Sequence, residues 1–348
     1  MLTQTQKKTA ESIINIFETN EVLGNYGQVT VIPGDTGHLT FGRSQTTLGS
    51  GNLYKLLQRY CDNSGARFTA RLEPYLPLCE RKDTALDQDV KLHNVLRATA
   101  DDVVMRDTQD QFFDQEYWQP AAAAAEGEGL LSPLSVAVVY DSFVHGSWGK
   151  MRDRTTDEYG SASEIGEQQW IQAYITTRRA WLAGHSREDL RKTVYRMDAF
   201  QRLIDNECWH LNLPLVVRDK EISEATLSAT PPGCYIGPQP GSRILAVGQP
   251  LSRGLDVRLV QLGLSDHNIA IKADGIFGQA SQRCVRQYQS ANGLPVTGVA
   301  DVALIAQLAS EVYGVQHTRK SRKTKAGKRR RASGRPSAKV AAHSRKHR

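Results

Sequence analysis

The 348-residue sequence predicts a mainly α-helical protein with one small β-hairpin, and three observations support this fold class. Residues 6–19 carry apolar side chains at helical spacing, and residues 27–53 follow with short alternating runs and turn residues. Residues 249–310 again show helical spacing. The last thirty residues, 319–348, contain 14 Lys or Arg and no Asp or Glu, a composition that does not bury a core. The sequence thus predicts two folded units followed by a disordered basic tail.

The first helix is predicted over residues 6–19. Its apolar residues recur at i, i+3, i+4 and i+7 and form one buried face: Ala10, Ile13, Ile14 and Phe17. Glu18 lies about 100° around the helix from Phe17, at the edge of that face. Partial burial favours the protonated form of a carboxyl group, which is the form that a general acid needs.

A β-hairpin is predicted after this helix. Val29 and Val31 alternate with polar residues, residues 33–37 (PGDTG) favour a turn, and residues 39–41 resume an extended pattern. Asp35 is therefore expected in a turn that faces the helix end with Glu18. Two carboxyl groups across a cleft cleave glycosidic bonds, because one protonates the leaving oxygen while the other activates water or attacks. The spacing alone is equally compatible with two unrelated acidic side chains.

Seven short segments, taken in their order along the chain, are stronger evidence of function than this spacing. They are residues 17–20 (FETN), 34–40 (GDTGHLT), 140–146 (YDSFVHG), 147–152 (SWGKMR), 174–182 (YITTRRAWL), 195–204 (YRMDAFQRLI) and 212–215 (NLPL). On these segments, residues 5 to about 222 resemble a glycoside hydrolase family 46 chitosanase of the lysozyme-like superfamily. The resemblance implies a lysozyme-like α+β catalytic domain, here residues 1–222.

The resemblance also implies roles for three residues. Glu18 matches the proton donor of the family, and Asp35 matches the base that activates water. Thr40 matches the residue that helps to hold this water. Glu21 is a weaker alternative to Glu18. The resembled family inverts the anomeric centre, and a base on a hairpin opposite a helix end favours the wide carboxyl separation of about 6.5–9.5 Å that inversion requires.

A buried charge network around the acid is implied as well. Asp141, Arg178 and Arg196 match the family's Asp-Arg-Arg set, which sets the charge state of the acid. Arg202 is an alternative to Arg196, because the helix register is not fixed by the sequence. The three residues are also compatible with a purely structural ion cluster.

Two residues are candidates for substrate binding. His145 lies in the same segment as Asp141. Asn52 stands where the resembled chitosanases carry an Asp that recognises the substrate ammonium group. Because Asn is neutral, it can bind an N-acetyl or hydroxyl group but does not neutralise a glucosamine cation. This departure favours a substrate other than polycationic chitosan.

Residues 249–312 resemble a second family. The signature consists of residues 254–261 (GLDVRLVQ), 274–278 (DGIFG), 285–289 (VRQYQ) and 293–294 (GL). These segments resemble the small three-helix peptidoglycan-binding domain. Val257, Val260 and Leu264 have helical spacing, and Asp274-Gly275 is expected to form a turn into a helix led by Ser281.

Residues 223–248 are predicted to be a linker, because they lack periodicity and are rich in proline and glycine. A tethered module would raise the local concentration of the catalytic domain on an insoluble polymer. The tail, residues 313–348, accounts for the formal net charge of +7. We expect residues 319–348 to bind an anionic surface, such as lipopolysaccharide, lipid or nucleic acid, or to act only as a solubilising extension.

The remaining sequence features limit where the protein acts and which cofactors it uses. The N-terminal residues 1–12 are polar and lack a signal-peptide core, and no apolar run approaches the roughly 20 residues of a membrane span. We therefore expect a monomer made in the cytoplasm that reaches the cell wall or periplasm after lysis or by a specialised secretion route. The five cysteines are scattered, and no nucleotide-binding motif is present, so neither a metal nor a cofactor is expected.

The sequence thus favours hydrolysis of β-1,4 bonds in peptidoglycan by a lysozyme- or endolysin-like enzyme, with an antibacterial role. A chitosanase with an added module is the first alternative. The second is a cell-wall-binding protein without catalytic activity.

Overall fold

The computed structural model describes residues 2–43 and 45–327, with side chains up to residue 314. The α-helices are α1 (Gln4–Thr19), α2 (Asn52–Asp62), α3 (Thr69–Leu72), α4 (Leu76–Glu80), α5 (Val90–Thr99), α6 (Val103–Phe113), α7 (Gln119–Gly127), α8 (Pro133–Val144), α9 (Trp148–Tyr159), α10 (Ala162–Ile165), α11 (Glu167–Ala183), α12 (Glu188–Arg191), α13 (Tyr195–Asp205), α14 (Glu224–Leu227), α15 (Leu255–Asp266), α16 (Gln279–Ala291) and α17 (Val302–Gly327). Short 3₁₀ helices lie at Glu73–Tyr75 and Thr84–Gln88, and a π-helical turn lies at Asp114–Trp118. The predicted mainly α-helical fold class is confirmed.

The strands are short and form three small antiparallel sheets. They are β1 (Val29–Thr30), β2 (Thr40–Phe41), β3 (Thr46–Thr47), β4 (Leu215–Val217), β5 (Lys220–Ile222), β6 (Ser252–Arg253) and β7 (Ile276–Phe277). The predicted hairpin is β1 and β2, paired with Val29 opposite Phe41. The sequence reasoning missed β3, which pairs with β2 and completes a three-stranded sheet.

Helix α1 begins two residues before the predicted start, because Thr3 caps it. The Thr3 hydroxyl accepts from the Gln6 N–H, and the Gln6 side chain accepts from the Thr3 N–H in return. The predicted apolar face is buried. The helix ends at Thr19, and Asn20 takes a left-handed conformation there.

The first core joins α1 to α8, α11 and α13. Phe17 of α1 packs edge-on against Phe200 of α13, with ring centroids 5.3 Å apart. The Tyr195 hydroxyl donates to the Phe17 carbonyl at 2.6 Å. These contacts fix the last turn of α1 against the first turn of α13, and they therefore fix the position of Glu18.

The second core runs from the N-terminal sheet through α2 and α5 into α15. One continuous cluster contains Leu92 and Leu96 of α5 together with Leu259 and Leu262 of α15. The C-terminal module, residues 249–312, therefore packs directly on the N-terminal unit, residues 1–222. Its other face has its own core around Val257, Val260 and Leu264, as their helical spacing predicts.

The turn at Asp274-Gly275 leads first into β7, and α16 then begins at Gln279, two residues before the expected Ser281. Gly275 has a φ of +76°, in the left-handed region that favours glycine.

Residues 223–248 are not a free tether. The Tyr235 N–H donates to Asp101 of the N-terminal unit at 2.7 Å. Leu245 pairs with Ala300 and is buried in the core of the C-terminal module. The predicted tail begins inside α17, and its residues 328–348 lie outside the described residues. Within the described part of the chain, no helix is both long and apolar enough to cross a membrane.

Candidate active site

A network of charged side chains joins the end of α1 to the first core. Asp141 of α8 accepts from Arg196 Nη1 at 2.7 Å and from Arg178 Nη1 at 2.6 Å. Arg196 Nη2 donates to Oε1 of Glu18. The Asp141 and Arg178 side chains are fully buried, whereas the Glu18 side chain is 43% exposed. The structure therefore brings together the four residues that the resemblance implies, and we call them the charge network.

The structure also decides between the two candidate arginines on α13. Arg196 is buried and bonded to the carboxylates of Asp141 and Glu18. Arg202 is exposed. The two residues are six positions apart, so they project from different faces of the helix. The structure thus places Arg196 in the charge network, and its role in catalysis stays a prediction.

Opposing effects set the charges within this network. Burial by itself would raise the pKa of the Asp141 carboxyl, but Arg196 and Arg178 lower it below its usual value. Burial also opposes the charge of Arg196, yet Asp141 and Glu18 raise the pKa of its guanidinium above the usual value. Both Asp141 and Arg196 therefore stay charged, and Arg196 offers Glu18 a permanent cation.

His145 ends α8 beside this network. Its Nδ1 accepts a hydrogen bond from Arg178 Nη2 at 3.2 Å. Burial lowers the pKa of His145 to about 4, and the nearby arginines contribute to this decrease. A neutral imidazole is required for Nδ1 to accept. The structure thus places His145 against a network arginine, and substrate contact by His145 stays a prediction.

A cavity of about 750 Å³ opens beside the C-terminal half of α1. Its described lining residues are Ile14, Asn15, Glu18, Thr19, Glu21, Asn25, Gln28, Arg43, Gln45, Phe113, Tyr117, Val144 and Pro232. Glu18 and its weaker alternative Glu21 thus both line the cavity. Among the described residues that line this cavity, Asp35, Thr40, Asn52 and His145 are not present.

Asp35 lies in the exposed turn between β1 and β2. A Cβ placed on Gly37 would be 2.8 Å from Asp35 Oδ2, so the carboxylate folds back over its own turn. The turn is anchored by Asp87, which accepts from the Leu39 N–H at 2.7 Å and contacts His38 Nδ1 at 2.9 Å. The role of Asp35 as base stays a prediction.

Thr40 and Asn52 both follow this turn in the sequence. Thr40 is buried in β2, and its hydroxyl donates to the His38 carbonyl at 3.1 Å. Asn52 is the first residue of α2, and its N–H donates to Ser50 Oγ at 3.2 Å. Their proposed contacts with water and substrate stay predictions.

The sequence reasoning missed a second ion cluster at the cavity. Arg43 lines the cavity and lies 3.8 Å from Glu11 Oε2, and it also pairs with Asp110. The Tyr26 hydroxyl donates to Asp110 at 2.8 Å. Burial raises the pKa of Glu11, although Arg43 opposes the increase. Glu11 precedes Glu18 by seven residues, two helical turns, so the helix periodicity offered a signal for Glu11.

The described residues contain no grouping of His, Cys, Asp or Glu side chains suited to a metal ion. Glu18, Glu21 and Arg43 are charged residues that line the cavity, and carboxyl groups support proton transfer directly.

Comparisons with known families agree with this arrangement. The family model described as "Glycosyl hydrolase family 46" matches residues 12–215. The model described as "Putative peptidoglycan binding domain" matches residues 253–308. The two matches cover the N-terminal unit and the C-terminal module and leave the residues between them unmatched.

Individual proteins give the same result. A chitosanase from Bacillus subtilis (strain 168) is 28% identical over 237 residues, which is 63% of this chain and 84% of that protein. The structure of a mutant chitosanase from Bacillus subtilis MY002 complexed with 6 GlcN has a TM-score of 0.53 and 26% identity, covering 64% of this chain and 98% of that one. A GH46 chitosanase from Gynuella sunshinyii in complex with chitotetraose has a TM-score of 0.53 and 24% identity, with the same coverage, and supports the fold alone.

Proposed function

This chain belongs to glycosyl hydrolase family 46, and from that membership we propose that it hydrolyses the β-1,4 bonds of a glucosamine polymer such as chitosan. One structural observation carries the proposal: Glu18 lines the cavity and is bonded to a buried, permanently charged arginine. A carboxyl group in this position can give a proton to substrate in the cavity and stay paired afterwards.

In the proposed reaction, protonated Glu18 donates its proton to the glycosidic oxygen, and the bond from this oxygen to the anomeric carbon breaks. Asp35 accepts a proton from water, and the water oxygen bonds to the anomeric carbon from the opposite face. The Thr40 hydroxyl helps to hold this water. The carboxylate left on Glu18 is stabilised by Arg196, which Asp141 keeps charged.

We propose that the reaction inverts the anomeric centre. An inverting enzyme converts a β-linked substrate into a product that is initially the α-anomer. Proton NMR during the first minutes of digestion distinguishes the anomers. A β-anomer as the first product would contradict inversion.

The lining of the cavity suits an amino-sugar chain. Asn15, Asn25, Gln28 and Gln45 supply amide groups that bind hydroxyl and amino groups, and Tyr117 supplies an aromatic surface. Glu21 adds a carboxylate near Glu18 that can pair with a substrate ammonium group. The 6 GlcN in the complex of the similar Bacillus subtilis MY002 chitosanase is consistent with this chemistry.

Peptidoglycan, the leading substrate in the sequence reasoning, becomes the second candidate. Two observations favour it: the match of residues 253–308 to a peptidoglycan-binding family, and the neutral Asn52.

A paired digestion separates the candidates. Chitosan and purified peptidoglycan are incubated with the wild type and with Glu18→Gln, and the products are analysed by mass spectrometry. We expect glucosamine oligomers from chitosan with the wild type alone. Products from peptidoglycan and none from chitosan would identify peptidoglycan as the substrate. If neither polymer gave products, a binding protein without catalytic activity would be favoured.

A further inference from the structure

Helix α15 of the C-terminal module is buried on both sides. Leu255, Leu259 and Leu262 belong to the second core, which includes α5 of the N-terminal unit. Val257 and Val260 lie in the core of the module itself. Apolar burial on both faces fixes a helix against both neighbours, so the module has one position relative to the N-terminal unit.

A buried amide specifies this position. Asn94 of α5 is fully buried, and its Nδ2 donates to Ser265 Oγ at 3.0 Å and to the Ile271 carbonyl at 2.8 Å. Its Oδ1 accepts from the Ala273 N–H at 2.9 Å. A shifted packing would leave these buried polar groups without hydrogen-bond partners, which is unfavourable. The contact between the two units is therefore specific.

An ion pair also crosses this contact. Arg258 Nε of α15 is 3.1 Å from Asp101 Oδ2, and both side chains are almost fully buried. Arg258 Nη1 also donates to the Arg97 carbonyl at 2.8 Å. Arg258 thus binds the N-terminal unit through a carboxylate and a backbone carbonyl.

The same ion pair holds residues 231–235, which we call the cleft segment. Arg258 Nη2 donates to the Gly233 carbonyl, and its guanidinium lies 4.9 Å from the centre of the Tyr235 ring. Asp101 Oδ1 accepts from the Tyr235 N–H at 2.7 Å. Each end of the ion pair therefore holds the backbone of the cleft segment.

The cleft segment reaches the cavity that contains Glu18. Pro232 is one of the lining residues, together with Asn25 and Gln28. A Cβ placed on Gly233 would be 2.9 Å from Asn25 Oδ1, so the segment lies directly against this wall.

We infer that the C-terminal module shapes one end of the substrate cleft, with Arg258 and Asp101 as positioning residues and Pro232 as a specificity-determining residue for the sugar unit bound at that end. The inference rests on the proposed function, because it assumes that an amino-sugar chain occupies this cavity. The module then contributes to catalysis by completing the cleft, in addition to any binding to the cell wall.

The test compares three variants with the wild type on a soluble glucosamine polymer and on a glucosamine dimer to hexamer series. Pro232→Ala removes part of the side chain that lines the cleft. Pro232→Trp places a larger side chain in the cleft. Arg258→Met removes the hydrogen bond from Arg258 to the cleft segment. Arg71→Met is the matched control, because Arg71 pairs with Asp266 across the same contact but does not touch the cleft segment.

We expect Pro232→Ala to raise KM for the polymer about fourfold, the effect of losing roughly one buried methylene contact, while kcat changes less than twofold. Pro232→Trp should raise KM further and change the lengths of the released oligomers. Arg258→Met should resemble Pro232→Ala, and Arg71→Met should resemble the wild type. If Arg258→Met does not fold, the two Pro232 variants decide the matter.

Wild-type KM and product lengths in both Pro232 variants would overturn the inference. If the wild type cleaves no glucosamine polymer, the proposed function fails separately. In that case, the affinity of each variant for glucosamine hexamer is measured by calorimetric titration in the Glu18→Gln background. Equal affinities in Glu18→Gln with and without the Pro232 substitutions would also overturn the inference. The absence of any binding would overturn it as well.

Discussion

Arg196 donates a hydrogen bond from Nη2 to Oε1 of Glu18, which joins an acid on the cavity wall to the buried interior. The other end of the guanidinium is bonded to Asp141, so its orientation is fixed before substrate arrives. Such preorganised charge stabilises the carboxylate that forms when Glu18 gives up its proton.

Glu18→Gln should reduce turnover of the glucosamine polymer by about 10²- to 10⁴-fold, since an amide does not donate the required proton. Asp35→Asn should cause a loss of the same order. Reducing-end release measures both effects. Glu21→Gln is the comparison, because Glu21 lines the same cavity. Loss of a carboxylate that can pair with a substrate ammonium group should raise KM, whereas kcat should stay within a few fold of the wild-type value. A larger loss of turnover in Glu21→Gln than in Glu18→Gln would identify Glu21, and not Glu18, as the proton donor.

Arg178→Met should reduce the free energy of unfolding by about 3–5 kcal/mol, because it leaves buried Asp141 with one cation instead of two. Urea denaturation measures this loss. The adjacent Arg179 provides a matched control, since it forms an exposed pair with Asp198. Arg179→Met should change stability by less than about 1 kcal/mol. Equal losses in the two variants would show that burial of the network adds no stability.

The sequence predicted this network only through the order of its motifs. Periodicity placed Glu18 at the edge of the buried face of α1, but it left Arg196 and Arg202 as alternatives, because the register of α13 depends on tertiary packing. Phe200 fixes that register by packing on Phe17. Local patterns predicted α1, the hairpin and the helical spacing within α15, because periodicity and alternation act over a few residues.

Long-range contacts explain most of what the sequence did not provide. Arg43 meets Asp110 across 67 positions, and Asn94 meets Ile271 across 177. No local spacing encodes such pairs. The proline-rich composition of residues 223–248 predicted a linker, but composition carries no signal that Tyr235 would bond to Asp101.

The stability of the protein should contain a contribution from His145 that is lost in acid. In the unfolded chain His145 takes up a proton near pH 6.5, whereas in the folded protein its pKa is about 4. The unfolded state therefore binds more protons between these values, and stability falls as the pH decreases from 6.5 to 4.

Comparison with His145→Asn isolates this effect. The difference in unfolding free energy between wild type and variant should be constant above pH 7 and shift against the wild type towards pH 4. Because the imidazole is only half-buried, solvent reduces the size of the shift. A difference that stays constant from pH 7 to pH 4 would show that His145 titrates equally in both states.

Deletion of residues 319–348 should weaken binding to anionic surfaces, because these residues hold 14 Lys or Arg and no acidic side chain. Binding of the full chain to anionic lipid vesicles should decrease steeply with salt, and the deletion should flatten this dependence. Turnover of short glucosamine oligomers should remain unchanged. Equal vesicle binding with and without these residues would exclude the tail as the binding segment.

The N-terminal unit should depend on the C-terminal module for its stability. Leu92, Val95 and Leu96 are buried in the core that the two units share. Truncation after residue 222 exposes part of this apolar surface, and each large side chain that becomes exposed costs about 1.5–3 kcal/mol. It also leaves buried Asn94 without its three partners from the module.

We therefore expect the chain ending at residue 318 to unfold in one cooperative transition, and the chain ending at residue 222 to unfold at a markedly lower temperature or to aggregate. Differential scanning calorimetry of both chains measures this. The chain ending at residue 318 is the control, since it lacks only the basic residues. Two separate transitions in the chain ending at residue 318, one of them at the unfolding temperature of the chain ending at residue 222, would contradict this prediction. The two units would then unfold independently of each other.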